Sequence, residues 1–431
     1  YNSTGSNNVA VGAFALQNID KTLYNTAIGY ASLNTDVSGD YNTAVGYQTL
    51  YSNVTNYNTA VGYQTLYNNT TGNNNVGVGP RAGYNLTYGL HNVCIGAIAV
   101  SNPNGPGGNL NTGSYNIAMG SSALAALVSG SGNIAIGHIA AQSLPADASS
   151  NIAIGYRALQ ATTTGINTAI GTDSMYSNTT GSGNVAVGYR ALFSSSTGNN
   201  NVAVGQFAGN GVTSGSSNIA IGYQALNGTT YGGQNVVIGL QAMSSGTSGS
   251  QNVAIGSAVL QYNSSGSYNI GVCFGALQNN TTGHYNIGLG YFALNGLLTG
   301  GNNVAVGFQS LRQCQSGSNN VAIGYNALTA LTAADYNVGI GYSVLGNVTT
   351  GANNVAIGYR AGVGITTGTN NTALGYNAFV SSNHTGNNNT AIGNGATPSA
   401  FSVSNEITLG DSNITTLRCQ TQTISALSDI R

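Results

Sequence analysis

One phrase governs this chain: Asn, then Val, Ile or Thr, then a small residue, then most often Val or Ile, then Gly. Its Asn falls at 8, 25, 42, 58, 75, 92, 116, 133, 151, 167, 184, 201, 218, 235, 252, 269, 286, 303, 320, 337, 354, 371 and 389. Of the 22 intervals between those 23 positions, 17 are 17 residues long and four others differ by one. The outlier, 92 to 116, carries "SNPNGPGG" at 101–108, which reads as a loop bulging from one repeat. A fixed short period with no helix-length segment predicts an all-β chain: a parallel β-solenoid (β-roll) of about 23 coils over residues 1–395.

Each coil divides into faces. In "NVAVG" the second and fourth positions share one side of a strand and the third takes the other. Position five is Gly in 22 coils, as expected where φ is positive or a backbone passes close; the exception is Cys273, flanked by Gly271 and Gly275. A second short stretch such as "YQAL" and a polar turn such as "TTG" complete a coil of two strands and two turns. The pattern places Val and Ile of positions two and four, such as Ile219 and Ile221, in the coil interior beside position-nine Leu159 and Leu192. Position three holds Ala in 17 coils and Gly in four. A small residue kept on an outward face allows a neighbouring copy to approach. Because each coil has few large apolar side chains to offset the ordering of its backbone, extra burial is expected from such a neighbour. Ala10, Ala27, Ala44, Ala203 and Ala220 are accordingly the candidate contacts of a parallel homotrimer.

Composition narrows the function. The chain has 431 residues, 17 of them charged, with a net charge of −1, which gives no footprint for nucleic acid or an anionic membrane. The longest apolar run, "ALAALV" at 123–128, is too short to insert in a bilayer. The acids are too few and scattered for paired carboxylate catalysis, so the chain reads as a non-enzyme. No Asp recurs as calcium-binding solenoids require, no helix follows the Gly strings, and no cofactor is expected. The "TTG" turns are too irregular for an ice-binding Thr array.

Other residues get weighed singly. His91, His138, His284 and His384 lie in distant coils and read as surface or turn residues, with no metal spacing. The Cys spacing favours free, packed thiols; bonds between chains at an axis are the sharper alternative. Position six is Tyr in 11 coils, including Tyr47, Tyr63, Tyr156, Tyr189 and Tyr223, which reads as a stacked ladder, with glycan contact as the functional alternative. Arg81, Arg157, Arg190 and Arg360 share position seven, which suggests a common structural contact. Asn-x-Ser/Thr sequons abound, among them Asn53, Asn178 and Asn347, and chance accounts for most.

The phrases "NNVAVG", "NIAIG" and "NTAIG" resemble the head repeats of trimeric autotransporter adhesins over residues 1–395. The resemblance implies left-handed parallel β-rolls, three chains round one axis. The coils here are longer than is typical of that family. After the last coil, residues 396–427 read as a C-terminal β cap or neck, and "ITLGDSNITTLR" resembles the β segment that ends viral fibre shafts. "SALSDIR" at 425–431 is similar to the entry of the endosialidase-type intramolecular chaperone of phage tail fibres. That resemblance implies autocleavage next to Ser428 and Asp429, with Ser428 the acting residue, and a chain that continues past Arg431 with a nearby Lys. The chain opens on Tyr1 in mid-pattern and is expected to be a piece of a longer product. The leading expectation is the extracellular shaft of a virus or phage fibre on the virion surface, a homotrimer that presents a host-binding tip to a receptor or glycan. The alternatives are a bacterial surface adhesin head that binds matrix or glycan itself, or another extracellular filament.

Overall fold

The structure is a computed structural model. It describes residues 5–416 apart from 19, 36–37, 101–111, 162–164, 229–230, 247 and 382. The described residues contain no helix, and every strand is three residues long. The chain forms two compact units, residues 1–282 and 283–431. The first holds strands β1 (Val9–Val11) to β16 (Ile270–Val272), and the second β17 (Ile287–Leu289) to β24 (Ile407–Leu409). Within each unit successive strands pair parallel and in register, so that Val202 lies beside Ile219 and Ala203 beside Ala220. Each unit is thus a parallel β-solenoid with one strand per turn of about 17 residues. The second ladder runs one strand beyond residue 395. β24 pairs with β23 (Thr390–Ile392), and Glu406, 17 residues after Asn389, takes the place that Asn holds in other coils.

The interior is the reverse of what alternation suggests. Position three points into the coil: Ala27 and Ala44 are completely buried, and Ala203 and Ala220 are 1% exposed. The same residue in the first coil, Ala10, is exposed because that coil ends the stack. Ile219 and Ile221, on either side of Ala220, are 37% and 38% exposed. Ala27, Ala44, Ala203 and Ala220 therefore cannot be contacts for another chain. Their neighbour is position eight of their own chain. A Cβ added to Gly77 would lie 2.6 Å from Thr65 Cγ2, one on Gly271 2.5 Å from Val259 Cγ1, and one on Gly339 3.0 Å from Val344 Cγ1. At these three places Gly at position three leaves room for a β-branched position eight. Where position eight is Ala, as at Ala225 and Ala242, position three accommodates the buried Val237. The close approach anticipated for this residue is real, but it occurs within one chain: between adjacent coils at Gly77 and Gly271, and within a coil at Gly339. Position-nine Leu159 and Leu192 are buried as expected, and position twelve adds Leu86, Leu127, Val212 and Leu331.

The second stretch of each coil is not a strand. Gln224 and Leu226, at positions seven and nine, have φ near +54°, the left-handed region that a continuous strand excludes. Coil-to-coil hydrogen bonds hold this conformation: Gln224 N–H donates to the Gln206 carbonyl (3.0 Å), and Leu226 N–H to that of Ala242 (3.0 Å). Gly222, at position five, has φ +129°, and a Cβ there would sit 2.6 Å from the Gly239 carbonyl oxygen. This explains the constant Gly. Cys273 adopts the same kind of corner at φ +87°, a conformation that costs a residue with a side chain about 1–2 kcal/mol.

The phrase-opening Asn forms a buried ladder. Asn218 donates its backbone N–H (2.9 Å) and its Nδ2 (3.1 Å) to Oδ1 of Asn201, one coil back. Its Nδ2 also donates across the coil to the Gly232 carbonyl at 3.0 Å. The same three bonds recur at Asn252 and Asn303. Asn is the residue whose short amide offers one acceptor and two donors in this geometry.

Candidate functional site

The candidate surface begins with the residues that the inward-facing alanine turns out of the coil. Positions two and four of each strand form two parallel columns, the position-four column apolar throughout and the position-two column Val or Ile except at Thr26, Thr43, Thr59, Thr168, Thr372 and Thr390. Val204, Ile255, Ile323 and Ile357 all stand exposed, as Ile219 and Ile221 do. A solvated strand face ordinarily carries polar side chains, and contiguous exposed apolar area of this kind marks a contact surface. The columns run through all sixteen strands of the first unit, roughly 70 Å at the spacing of paired strands. They recur in the second unit.

Across the Gly corner lies the position-six aromatic ladder. Tyr30, Tyr47 and Tyr63 stack with ring centroids 5.2 and 5.4 Å apart. In the second unit Tyr291, Phe308, Tyr325, Tyr342, Tyr359 and Tyr376 stack at 4.9–5.3 Å. Two further ladders, absent from the sequence reading, occupy position ten (Tyr51, Tyr67, Tyr84) and the residue before the Asn (Tyr24, Tyr41, Tyr57). Partial burial raises the Tyr67 pKa, and Tyr51 and Tyr84 add to that rise.

Among the described residues, the ion pairs form one cluster. At position seven of three successive coils stand Arg157, Asp173 and Arg190. Arg157 donates Nε (2.8 Å) and a terminal N–H (3.0 Å) to the two carboxylate oxygens of Asp173, and Arg190 Nε lies 3.7 Å from one of them. The Asp173 side chain is only 4% exposed. Its hydrogen bond to Arg157 raises that guanidinium's pKa. Arg157 also lies over Tyr156 and Tyr176, and Arg190 over Tyr189 and Phe193. Arg81 donates to Gln64 (3.2 Å) and lies over Tyr84. For these three arginines, the shared position is a shared structural contact.

Cys94 and Cys314 are free and buried, and burial pushes their thiols up to about 12 and about 11, far from reactive thiolates. Cys273 is free and exposed. His91, His138 and His284 are exposed. His384 corrects the reading of surface or turn histidines. It is completely buried and paired with Ile365 of the preceding coil, so that it fills the core slot Ile365 holds although it lies two residues further from its own Asn. Its Nε2 is 2.7 Å from Ser381 Oγ, and its ring packs edge-on against Phe379 and Phe401. Desolvation lowers its pKa, partly opposed by Glu406. Sequon residues Asn53 and Asn178 are buried at position twelve, closed to a glycan, while Asn347 is exposed. Among the described residues no three His, Cys, Asp or Glu gather as a metal site, and no helix is long and apolar enough to cross a membrane. Ser428 and Asp429 lie outside the described residues.

Searches against protein-family models and against curated proteins find no match to this chain.

Proposed function

We propose that this chain is a structural element of an extracellular fibre, in which three parallel copies bury their outward Val and Ile columns against one another. The exposed apolar columns carry this reading. They are regular and almost uncharged, and a lone chain would leave them in water. Three copies side by side would remove that surface and supply the burial that a narrow, Ala-lined interior lacks. The seam runs along positions two and four, not three. The resemblance to adhesin-head repeats supports left-handed coils and a threefold axis. The resemblance of "SALSDIR" to a chaperone entry supports a shaft of the phage or viral kind, on the virion surface, with a host-binding tip elsewhere. It also supports a trimerising domain that sets the register, since a slip by one coil keeps almost every contact between repetitive chains.

Ile221→Asp with Ile255→Asp tests the seam. Two carboxylates per chain desolvated at a shared face cost several kcal/mol each, so the double variant should fail to assemble and scatter light as a smaller species. If it keeps the wild-type mass and circular dichroism, the outward columns are not the seam.

A further inference from the structure

We propose that the first three coils carry a subsite for a single neutral sugar ring, in a hollow of about 230 Å³ lined by Phe14, Gln17, Tyr30, Ala31, Asn34, Gln48 and Tyr51. The hollow is a vacancy in a side-chain column. In the coils that follow, position seven carries amides that bond from coil to coil, as Gln64 Nε2 does to Gln48 Oε1 (2.9 Å) and, further on, Gln241 Nε2 to Gln224 Oε1 (3.0 Å), although it is short again at Ala258 and Gly275. In the second coil this position is Ala31, and the column is interrupted between Phe14 and Gln48. Ala31 is the floor, Tyr30 of position six forms one wall, and Gln17, Asn34 and Tyr51 of position ten form the other.

The walls are held before any ligand arrives. Tyr30 stacks on Tyr47 (5.2 Å) and meets Phe14 edge-on (5.4 Å, 86°), and Tyr51 stacks on Tyr67 (5.0 Å). Asn34 is 6% exposed, and its Nδ2 donates to the Phe14 carbonyl (3.0 Å) and to Gln17 Oε1 (3.1 Å). Gln48 accepts from Gln64 and retains the N–H donors of its own amide. Aromatic faces receive the apolar C–H face of a pyranose, and carboxamides both donate to and accept from its hydroxyls. No lining residue is charged, which favours a neutral ligand over an acidic sugar. The volume is below the roughly 300–1,000 Å³ of drug-sized sites and suits one ring. All these side chains come from one chain, so the subsite does not depend on the assembly proposed above.

The test is saturation-transfer NMR on the full chain with methyl glycosides of glucose, galactose, mannose and N-acetylglucosamine, and with methylguanidinium as the rival occupant of an aromatic cleft. At least one glycoside should show transfer. Ala31→Gln should weaken it at least tenfold, because it extends the Gln48–Gln64 column into the hollow at a position whose φ (51°) matches that of Gln48 (51°). Gln48→Leu, which keeps size and removes the amide, should also weaken it should Ala31→Gln fold poorly. Absence of transfer from all four glycosides, transfer from methylguanidinium alone, or undiminished binding in a folded variant overturns the proposal.

Discussion

Asn235 donates both its backbone N–H and its side-chain Nδ2 to a single oxygen, Oδ1 of Asn218, at 3.0 Å each. Both residues are at most 1% exposed, so no water substitutes if the oxygen is removed. Asn218→Leu leaves those two donors and the Gly232 carbonyl without this partner. Each buried polar group left unsatisfied costs about 1–3 kcal/mol. The variant should melt well below the wild type by circular dichroism, with lost amide-exchange protection centred on the coils that contain 218 and 235. Unchanged melting would mean that the ladder contributes little.

Asn69 is the converse case. It is completely buried at position twelve, yet neither its Nδ2 nor its Oδ1 has a hydrogen-bond partner. The next coil carries Leu86 in the same slot, also completely buried. Asn69→Leu should therefore stabilise the first unit by about 1–3 kcal/mol, read as a higher melting temperature or denaturant midpoint.

His384 predicts acid sensitivity at the end of the second unit. Desolvation holds its folded pKa below the ordinary 6.5, so the unfolded chain takes up the proton more readily. The stability this residue permits is complete above about pH 6.5, declines as pH falls below that value, and levels off beneath the folded pKa. Glu406 acts lower. Burial raises its pKa, but hydrogen bonds from Ser399 and Thr408 and the charge of His384 outweigh it and bring it below 4.5, so its contribution is lost only under stronger acid. Amide exchange over 372–392 should speed up between pH 7.5 and 5.5 relative to the intrinsic rate. His384→Leu, which matches the aliphatic slot of Ile365, should flatten that dependence.

The period was legible because a solenoid repeats one coil, and the Asn spacing marked each turn to the residue. The buried Leu at position nine and the stacked Tyr of position six were legible for the same reason. Which strand face points inward was not. Alternation at positions two to four defines two faces without signing them, and hydrophobicity favoured placing Ile219 and Ile221 inside. The Gly77–Thr65 and Gly271–Val259 pairs show how close the opposite wall can stand: at these coils even a Cβ on position three would meet it within 2.6 Å. This size exchange between positions three and eight was present in the sequence as a signal. The last coil, with β24, was hidden because Glu406 replaces Asn while keeping the 17-residue step. His384 looked like a turn residue because it stands two residues beyond the count at which Ile365 occupies the same slot.

The central claim is that three chains share the outward aliphatic columns, and the most direct measurement is the mass of the folded full-length product by sedimentation equilibrium. One chain weighs 43.3 kDa as the 431 residues given. The account predicts a single species of three times the chain mass, unchanged on dilution into the nanomolar range, with the circular dichroism of a β-solenoid. A folded species at the mass of one chain, with that same spectrum, would contradict it.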